Sequence, residues 1–208
     1  MTKRVAADIA LTALEEVGAI LTNDHFVLTS GNHSRSYVNK DALTRHPEET
    51  ELIAELLAVI VNRHEIIVSP AYGAIVLGQR VAYHTGSLFI FAEKAEDGTF
   101  LIKRGNQLLL PGKSICIVED ILTTGSSVQK VVDLVRTLDG DVTTVLALCN
   151  RGGVTAEAIG VPKLRVLLDL PMETYTEEEC PLCKAGIPVN ITVGKGREYM
   201  ERQQRPTQ

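Results

Sequence analysis

Apolar residues recur at helical intervals over residues 1–20 (Val5, Ile9, Leu11, Leu14, Val17), which predicts an N-terminal helix. Residues 26–38 carry short apolar runs on either side of Ser30-Gly31-Asn32, a turn composition, and predict a hairpin. A second helix opens at Pro47-Glu48-Glu49, where proline suits the first helical position and the acids suit the positive end of the helix dipole. Its apolar stripe is Leu52, Ile53, Leu56, Leu57, Ile60 and Val61. From there the pattern alternates. Buried runs at residues 66–68, 88–91, 115–118, 142–148 and 164–168 read as strands. The stretches ending near Thr85 and spanning residues 128–138 read as amphipathic helices, and Asp97-Gly98 reads as a hairpin turn within a polar stretch over residues 93–106. This alternation predicts an α/β fold with a mostly parallel sheet flanked by helices, and puts ligands at the carboxyl ends of its strands. The tail from Pro171 is turn-rich and expected to fold back over the site; the chain has no internal repeat and no low-complexity segment.

Composition narrows the picture. A chain of 208 residues that is 45% hydrophobic can bury a full core in one domain with a small appendage. A net charge of −5 argues against a general nucleic-acid surface. The N-terminus lacks the apolar segment of a signal peptide, and no run approaches the ~18 apolar residues of a membrane span. The expectation is a cytoplasmic protein that binds neither membrane nor nucleic acid. Cys116 and Cys149 lie inside apolar runs and read as buried core thiols. Cys180-Pro-Leu-Cys183 is half a zinc site, a redox pair or a tight turn. With no second pair or well-spaced histidine nearby in sequence, a structural turn is the first reading and a metal shared with another subunit the second. His33 and Tyr37 read as structural, and His46 and His64 carry no functional signal.

The densest chemistry lies at residues 114–127, Ser-Ile-Cys-Ile-Val-Glu-Asp-Ile-Leu-Thr-Thr-Gly-Ser-Ser. A buried strand ends in adjacent carboxylates, Glu119 and Asp120, and a glycine- and hydroxyl-rich turn leads into a helix. Backbone N–H groups at such a turn, with the positive end of the helix dipole, suit a phosphate. Thr123, Thr124, Ser126 and Ser127 add hydroxyl donors, and Gly125 permits close backbone approach. The carboxylates can accept hydrogen bonds from sugar hydroxyls or attract a cation. Together these features describe a sugar-phosphate site; the bland alternative is a capped strand-to-helix turn. There is no Gly-Lys-Ser/Thr ending of a Walker loop.

Residues 118–127 resemble the phosphoribosyl-diphosphate (PRPP) motif of the type I phosphoribosyltransferases along their whole length. Phe26-x-Leu-x-Ser-Gly-x-His-Ser-x-x-Tyr is similar to the N-terminal hairpin of the orotate phosphoribosyltransferases. Asn150-Arg151 lies where that family carries an arginine for orotate, and the Cys-Pro-Leu-Cys tail is similar to one branch of it. Phe91-Ala92-Glu93-Lys94 followed by Lys103-Arg104-Gly105 looks like its mobile-loop region. Two departures stand out: Thr29 occupies the position of a hairpin lysine, and residues 95–100 lack the loop histidine. The resemblance implies a single phosphoribosyltransferase domain over residues 1–208, with a core at about 47–169 and a hood from about 20–45 and 170–200.

The resemblance also implies transfer of ribosyl phosphate from PRPP to orotate through a transition state with oxocarbenium character. Glu119, Asp120 and Lys94 take the catalytic roles. Thr123, Thr124, Gly125, Ser126 and Ser127 bind the 5′-phosphate. The turn Ser69-Pro70-Ala71-Tyr72-Gly73, with Lys94, Lys103 and Arg104, holds pyrophosphate. Arg151 and Thr123 meet orotate, and an arginine fork suits that planar acid. Mg²⁺ is held through PRPP rather than by direct protein ligands. A homodimer is expected. The alternatives are a purine base as acceptor, or a non-catalytic regulator that senses PRPP.

Overall fold

A computed structural model describes residues 2–204; Met1 and residues 205–208, which the expected 1–208 domain includes, lie outside the described residues. In chain order, helix α1 (Lys3–Glu16) is followed by strands β1 (Ile20–Leu21), β2 (Phe26–Val27), β3 (His33–Ser34) and β4 (Tyr37–Val38). Helices α2 (Lys40–Thr44) and α3 (Pro47–Ile60) precede strand β5 (Ile66–Pro70) and helix α4 (Ile75–Thr85). Strands β6 (Leu88–Lys94) and β7 (Phe100–Leu101), a 3₁₀ turn at Asn106–Leu109 and strand β8 (Ser114–Leu122) come next. Helix α5 (Ser126–Thr137), strands β9 (Asp141–Asn150) and β10 (Lys163–Asp169), and helices α6 (Pro181–Lys184) and α7 (Gly196–Gln204) complete the chain. These elements form two compact units, one of residues 2–13 with Thr44–Pro171, the other of Leu14–Leu43 with residues 172–204.

The first unit is built on a six-stranded sheet in the order β10-β9-β8-β5-β6-β7. The pairs β10–β9, β9–β8, β8–β5 and β5–β6 are parallel; only β6–β7 is antiparallel. Ile66, Val68, Ile115, Ile117, Val142 and Val145 are buried on the strands, and Val128, Val131, Val132 and Val135 of α5 join the same core. That spacing of three, one and three residues is one face of a helix, and each fully buried side chain contributes about 1.5–3 kcal/mol. Proline begins α3, and Ile53, Ala54, Leu56 and Leu57 bury its apolar face.

Four strands run past the apolar stretches that predict them, reaching Pro70, Lys94, Leu122 and Asn150. The ladder is made by backbone groups, so pairing continues where side chains turn polar: Ser69 faces Phe91, and Glu119 faces Ala147. Helix α5 likewise starts two residues earlier than its apolar stripe, at Ser126. The Asp97-Gly98 turn joins β6 to β7 as expected, with the Asp97 carboxylate accepting from the Thr99 N–H at 2.9 Å and hydroxyl at 2.6 Å.

In the second unit, β2 and β3 form the hairpin expected around Ser30-Gly31-Asn32, while β1 pairs with β4. Phe26, Val27, Leu28, Val38 and Leu182 are buried there. A pair of backbone hydrogen bonds between His33 and Tyr175, 2.8 and 2.9 Å, ties the hairpin to the tail. Cys180 and Cys183 have no histidine near them in sequence, but the fold supplies two: His25 lies 3.7 Å from both sulfurs and His33 3.3 Å from Cys183. Sequence distance hid them, because the histidines precede the cysteines by some 150 residues. Helix α7 was also illegible as an apolar pattern, since its sequence Gly-Arg-Glu-Tyr-Met-Glu-Arg-Gln-Gln is almost wholly polar.

Candidate active site

Glu119 and Asp120 sit within β8, three and two residues before its end, and both are buried. Each carboxylate is oriented by the next residue along the strand. The Asp120 N–H donates to Glu119 Oε1 at 3.0 Å, and the Ile121 N–H donates to Asp120 Oδ1 at 2.6 Å. Carboxylates held in a low-dielectric strand end are strong acceptors, suited to vicinal hydroxyls or a cation. Cys149, on the neighbouring strand β9, is no nucleophile: burial, with Asp169 and Asp120 nearby, pushes its thiol up to about 12.

The turn after β8 exposes Thr123, Thr124, Ser126 and Ser127 and buries the glycine between them. Gly125 is the N-cap of α5 at φ +76°, a left-handed conformation that a side chain resists. A β-carbon there would fall 2.7 Å from Ile159 and 3.0 Å from Val154. A glycine cap also puts no side chain over the helix start. The Ser126 N–H donates to Thr124 Oγ1 at 3.3 Å, and the positive end of the α5 dipole faces outward with the four hydroxyls around it.

Gly152 is a feature of this turn that sequence reading missed. A β-carbon on it would lie 1.5 Å from the Thr123 carbonyl oxygen, so the loop after β9 packs backbone to backbone on the phosphate-type turn. The N–H groups of Arg151 and Gly152 both donate to Leu122 O, at 3.0 and 3.3 Å. Buried Asn150 clasps the same loop, donating to Val154 O at 2.9 Å and accepting from the Val154 N–H at 3.0 Å. Arg151 is thereby anchored through its backbone beside residues 122–123. The only sequence signal was a pair of glycines after a strand, which marks close approach without naming the partner.

The β5 turn is less uniform than its sequence suggests. Ser69 and Pro70 are strand residues and fully buried, and the Ala71–Tyr72 peptide is cis. The Ser69 hydroxyl is packed on α4: a β-carbon on Gly78 would fall 2.0 Å from it. Beyond Ser69 and Pro70, Ala71 and Gly73 are half-buried and Tyr72 is 84% exposed, while the Ala71 N–H donates to Ala92 O at 2.8 Å. Lys94 ends β6 and is exposed. Lys103 and Arg104 approach Glu93 instead, at 2.9 and 3.9 Å, and the Lys103 ion pair holds the Glu93 carboxyl below its usual range. Lys130 of α5, unnoticed in the sequence, donates to Gly98 O at 2.9 Å and so holds the hairpin tip.

Topology assembles these parts. Strands β6, β5, β8 and β9 are consecutive and parallel, so Lys94, the 70–73 turn, Glu119 to Leu122, and Arg151 follow one another along one sheet edge. At the opposite, amino-terminal edge, a cleft of about 560 Å³ is lined by His64, Glu65, Ser87 and Lys113 among others. That cleft has no helix N-terminus or paired carboxylates, and parallel sheets bind ligands at the other end.

Residues 39–159 match the phosphoribosyl transferase domain family. A protein of Thermoanaerobacter sp. (strain X514) named orotate phosphoribosyltransferase is 38% identical over 174 residues, spanning 82% of this chain and 88% of its own. One of the same name from Thermotoga maritima is 36% identical over 185 residues, 88% of this chain and 96% of its own. The crystal structure of orotate phosphoribosyltransferase from Aeropyrum pernix matches the fold with a TM-score of 0.65 at 24% identity, covering 76% of this chain and 92% of that one.

Proposed function

Because the chain belongs to the phosphoribosyl transferase family, and within it to the orotate phosphoribosyltransferases, we propose that it transfers the 5-phosphoribosyl group of PRPP to orotate. The products are orotidine 5′-monophosphate and pyrophosphate, a step of pyrimidine synthesis. The observation that carries this reading is the join of β8 to α5: two buried carboxylates, then a glycine-capped helix start ringed by four exposed hydroxyls.

In this reading the 5′-phosphate rests on residues 123–127, bound by hydroxyls and helix N–H groups. Glu119 and Asp120 accept from the ribose 2′ and 3′ hydroxyls, and their charge stabilises the positive charge that develops at ribose C1. The carbon–oxygen bond to pyrophosphate breaks, its electron pair leaving on the pyrophosphate oxygen, as a bond from an orotate ring nitrogen to C1 forms, and the proton of that nitrogen is released to solvent. Pyrophosphate departs over the backbone of residues 71–73 toward Lys94. The Ser69 side chain packs against Gly78 of α4. Lys103 and Arg104 reach the leaving group only by giving up Glu93. Arg151 forks onto the planar acidic base.

Mg²⁺ would be held through the oxygens of PRPP rather than by direct protein ligands, and would neutralise charge on the leaving pyrophosphate. The reading includes a cytoplasmic homodimer. The exposed leucines 88, 108 and 109 are a surface that a second copy could cover, and among the described residues no helix is long and apolar enough to cross a membrane.

The test is a turnover screen with PRPP, Mg²⁺ and, separately, orotate, adenine, hypoxanthine and xanthine. Orotate is expected to be consumed and the purines not. Turnover of a purine with none of orotate would move the acceptor, and tight PRPP binding without any turnover would make the protein a sensor.

A further inference from the structure

The second unit gathers four ligating side chains whose donor atoms all lie within 4.8 Å of one another: His25, His33, Cys180 and Cys183. His25 Nε2 is 2.8 Å from His33 Nδ1 and 3.7 Å from each cysteine sulfur, and Cys183 Sγ is 3.3 Å from His33 Nδ1. A tetrahedral Zn²⁺ with ordinary bond lengths spaces nitrogen from nitrogen by about 3.3 Å and nitrogen from sulfur by about 3.6 Å. The sulfur contacts already bracket that value, and the two imidazoles would part by about 0.5 Å. Three of the four residues are buried and the fourth half-buried, so the donors converge away from solvent.

The surroundings orient these donors as ligands are oriented. His25 Nδ1–H donates to Ile187 O at 2.7 Å, which fixes the tautomer and leaves the Nε2 lone pair facing the cluster. His33 is fixed through its backbone by Tyr175 and along its ring edge by Tyr199, 5.0 Å away at 84°. Tyr199 in turn donates to Glu177 at 3.0 Å. Cys180 is the N-cap of α6 and Cys183 lies in its single turn, the spacing that lets two sulfurs share one ion. Cys180 is fully buried and Cys183 half-buried, and no disulfide joins them.

We infer that His25, His33, Cys180 and Cys183 form a closed, structural Zn²⁺ site that staples the β2–β3 hairpin to the C-terminal tail. Soft sulfur and imidazole ligands select zinc over the hard Mg²⁺ of phosphate chemistry, and four protein ligands leave no open position for substrate. The physical need is evident from the unit's size: its two sequence-distant segments share a small apolar core, and such units are commonly held by metal or disulfide. The inference does not rest on the transferase reading, since none of the candidate transfer residues belongs to this unit.

The test is elemental analysis of full-length protein purified under reducing conditions without a metal-affinity step, alongside Cys183→Ser and His33→Ala. About one zinc per chain is expected in the unaltered protein, falling at least fivefold in each variant. Because a variant can misfold, the metal-free wild type is also titrated with Co²⁺. It should develop the visible absorption of a tetrahedral ion and a thiolate charge-transfer band, both displaced by Zn²⁺. A folded, reduced wild type that takes up neither ion would overturn the proposal, as would zinc content unchanged in both variants. So would a Cys180–Cys183 disulfide in protein that keeps full stability with chelator.

Discussion

At the scale of single residues, the reading turns on side chains whose position is set by backbone. Arg151 is the sharpest case, because two N–H groups fix its loop to Leu122 O while its guanidinium is assigned to orotate. Replacing it with lysine keeps the charge but removes the planar fork. Arg151→Lys should raise KM for orotate by roughly 10–100-fold, the worth of a charge-assisted hydrogen bond, and shift KM for PRPP much less. Steady-state kinetics with each substrate varied would decide it; equal effects on both substrates would mean that the residue only shapes the loop. What was legible at this scale was chemistry that lies contiguous in sequence. Glu119, Asp120 and residues 123–127 announce themselves because a strand, an acidic pair and a helix start follow one another. Gly152, Lys130 and the histidines at positions 25 and 33 did not, because each acts on a partner that only tertiary contact supplies. The packing of Ser69 was equally hidden, because only the fold brings Gly78 of α4 against its hydroxyl.

At the scale of elements, hydrophobic periodicity located the strands and helices of the first unit but not their ends. Strand ladders and the helix start extend past the apolar residues, and those polar extensions carry Lys94, Glu119, Asp120 and Ser126. The opposite, amino-terminal end of the sheet offers a test of packing rather than chemistry. Buried His64 donates from Nδ1 to Asn62 O at 2.7 Å and is 2.9 Å from the Thr143 hydroxyl on β9. Burial holds its pKa below the usual 6.5, helped by Lys163 and opposed by Asp141. The unfolded chain therefore binds this proton more readily than the fold does. His64 costs no stability above pH 6.5, and stability falls as pH drops from there toward the depressed folded value. Urea midpoints at pH 7.5 and 5.5 should fall more steeply for the wild type than for His64→Gln. Parallel losses in the two proteins would assign the acid sensitivity to other groups.

At the scale of the whole molecule, one chain carries two kinds of order. The first unit is a parallel α/β sheet with a large aliphatic core, and its carboxyl edge lines up four strand ends bearing the candidate transfer residues. The second is assembled from two distant segments, which is why the sequence pattern conveyed its hairpin but neither α7 nor the histidine–cysteine cluster. Phosphoribosyl transfer to orotate is assigned to the β8–α5 join. It is tested most directly by following pyrophosphate release and orotidine 5′-monophosphate formation in wild type and Asp120→Asn, together with thermal unfolding. The wild type should give equimolar products, and the variant a kcat/KM lowered roughly 10²–10³-fold, as for loss of one preorganised electrostatic group, with a melting temperature moved by only a few degrees. Undiminished pyrophosphate release by Asp120→Asn would contradict the assignment.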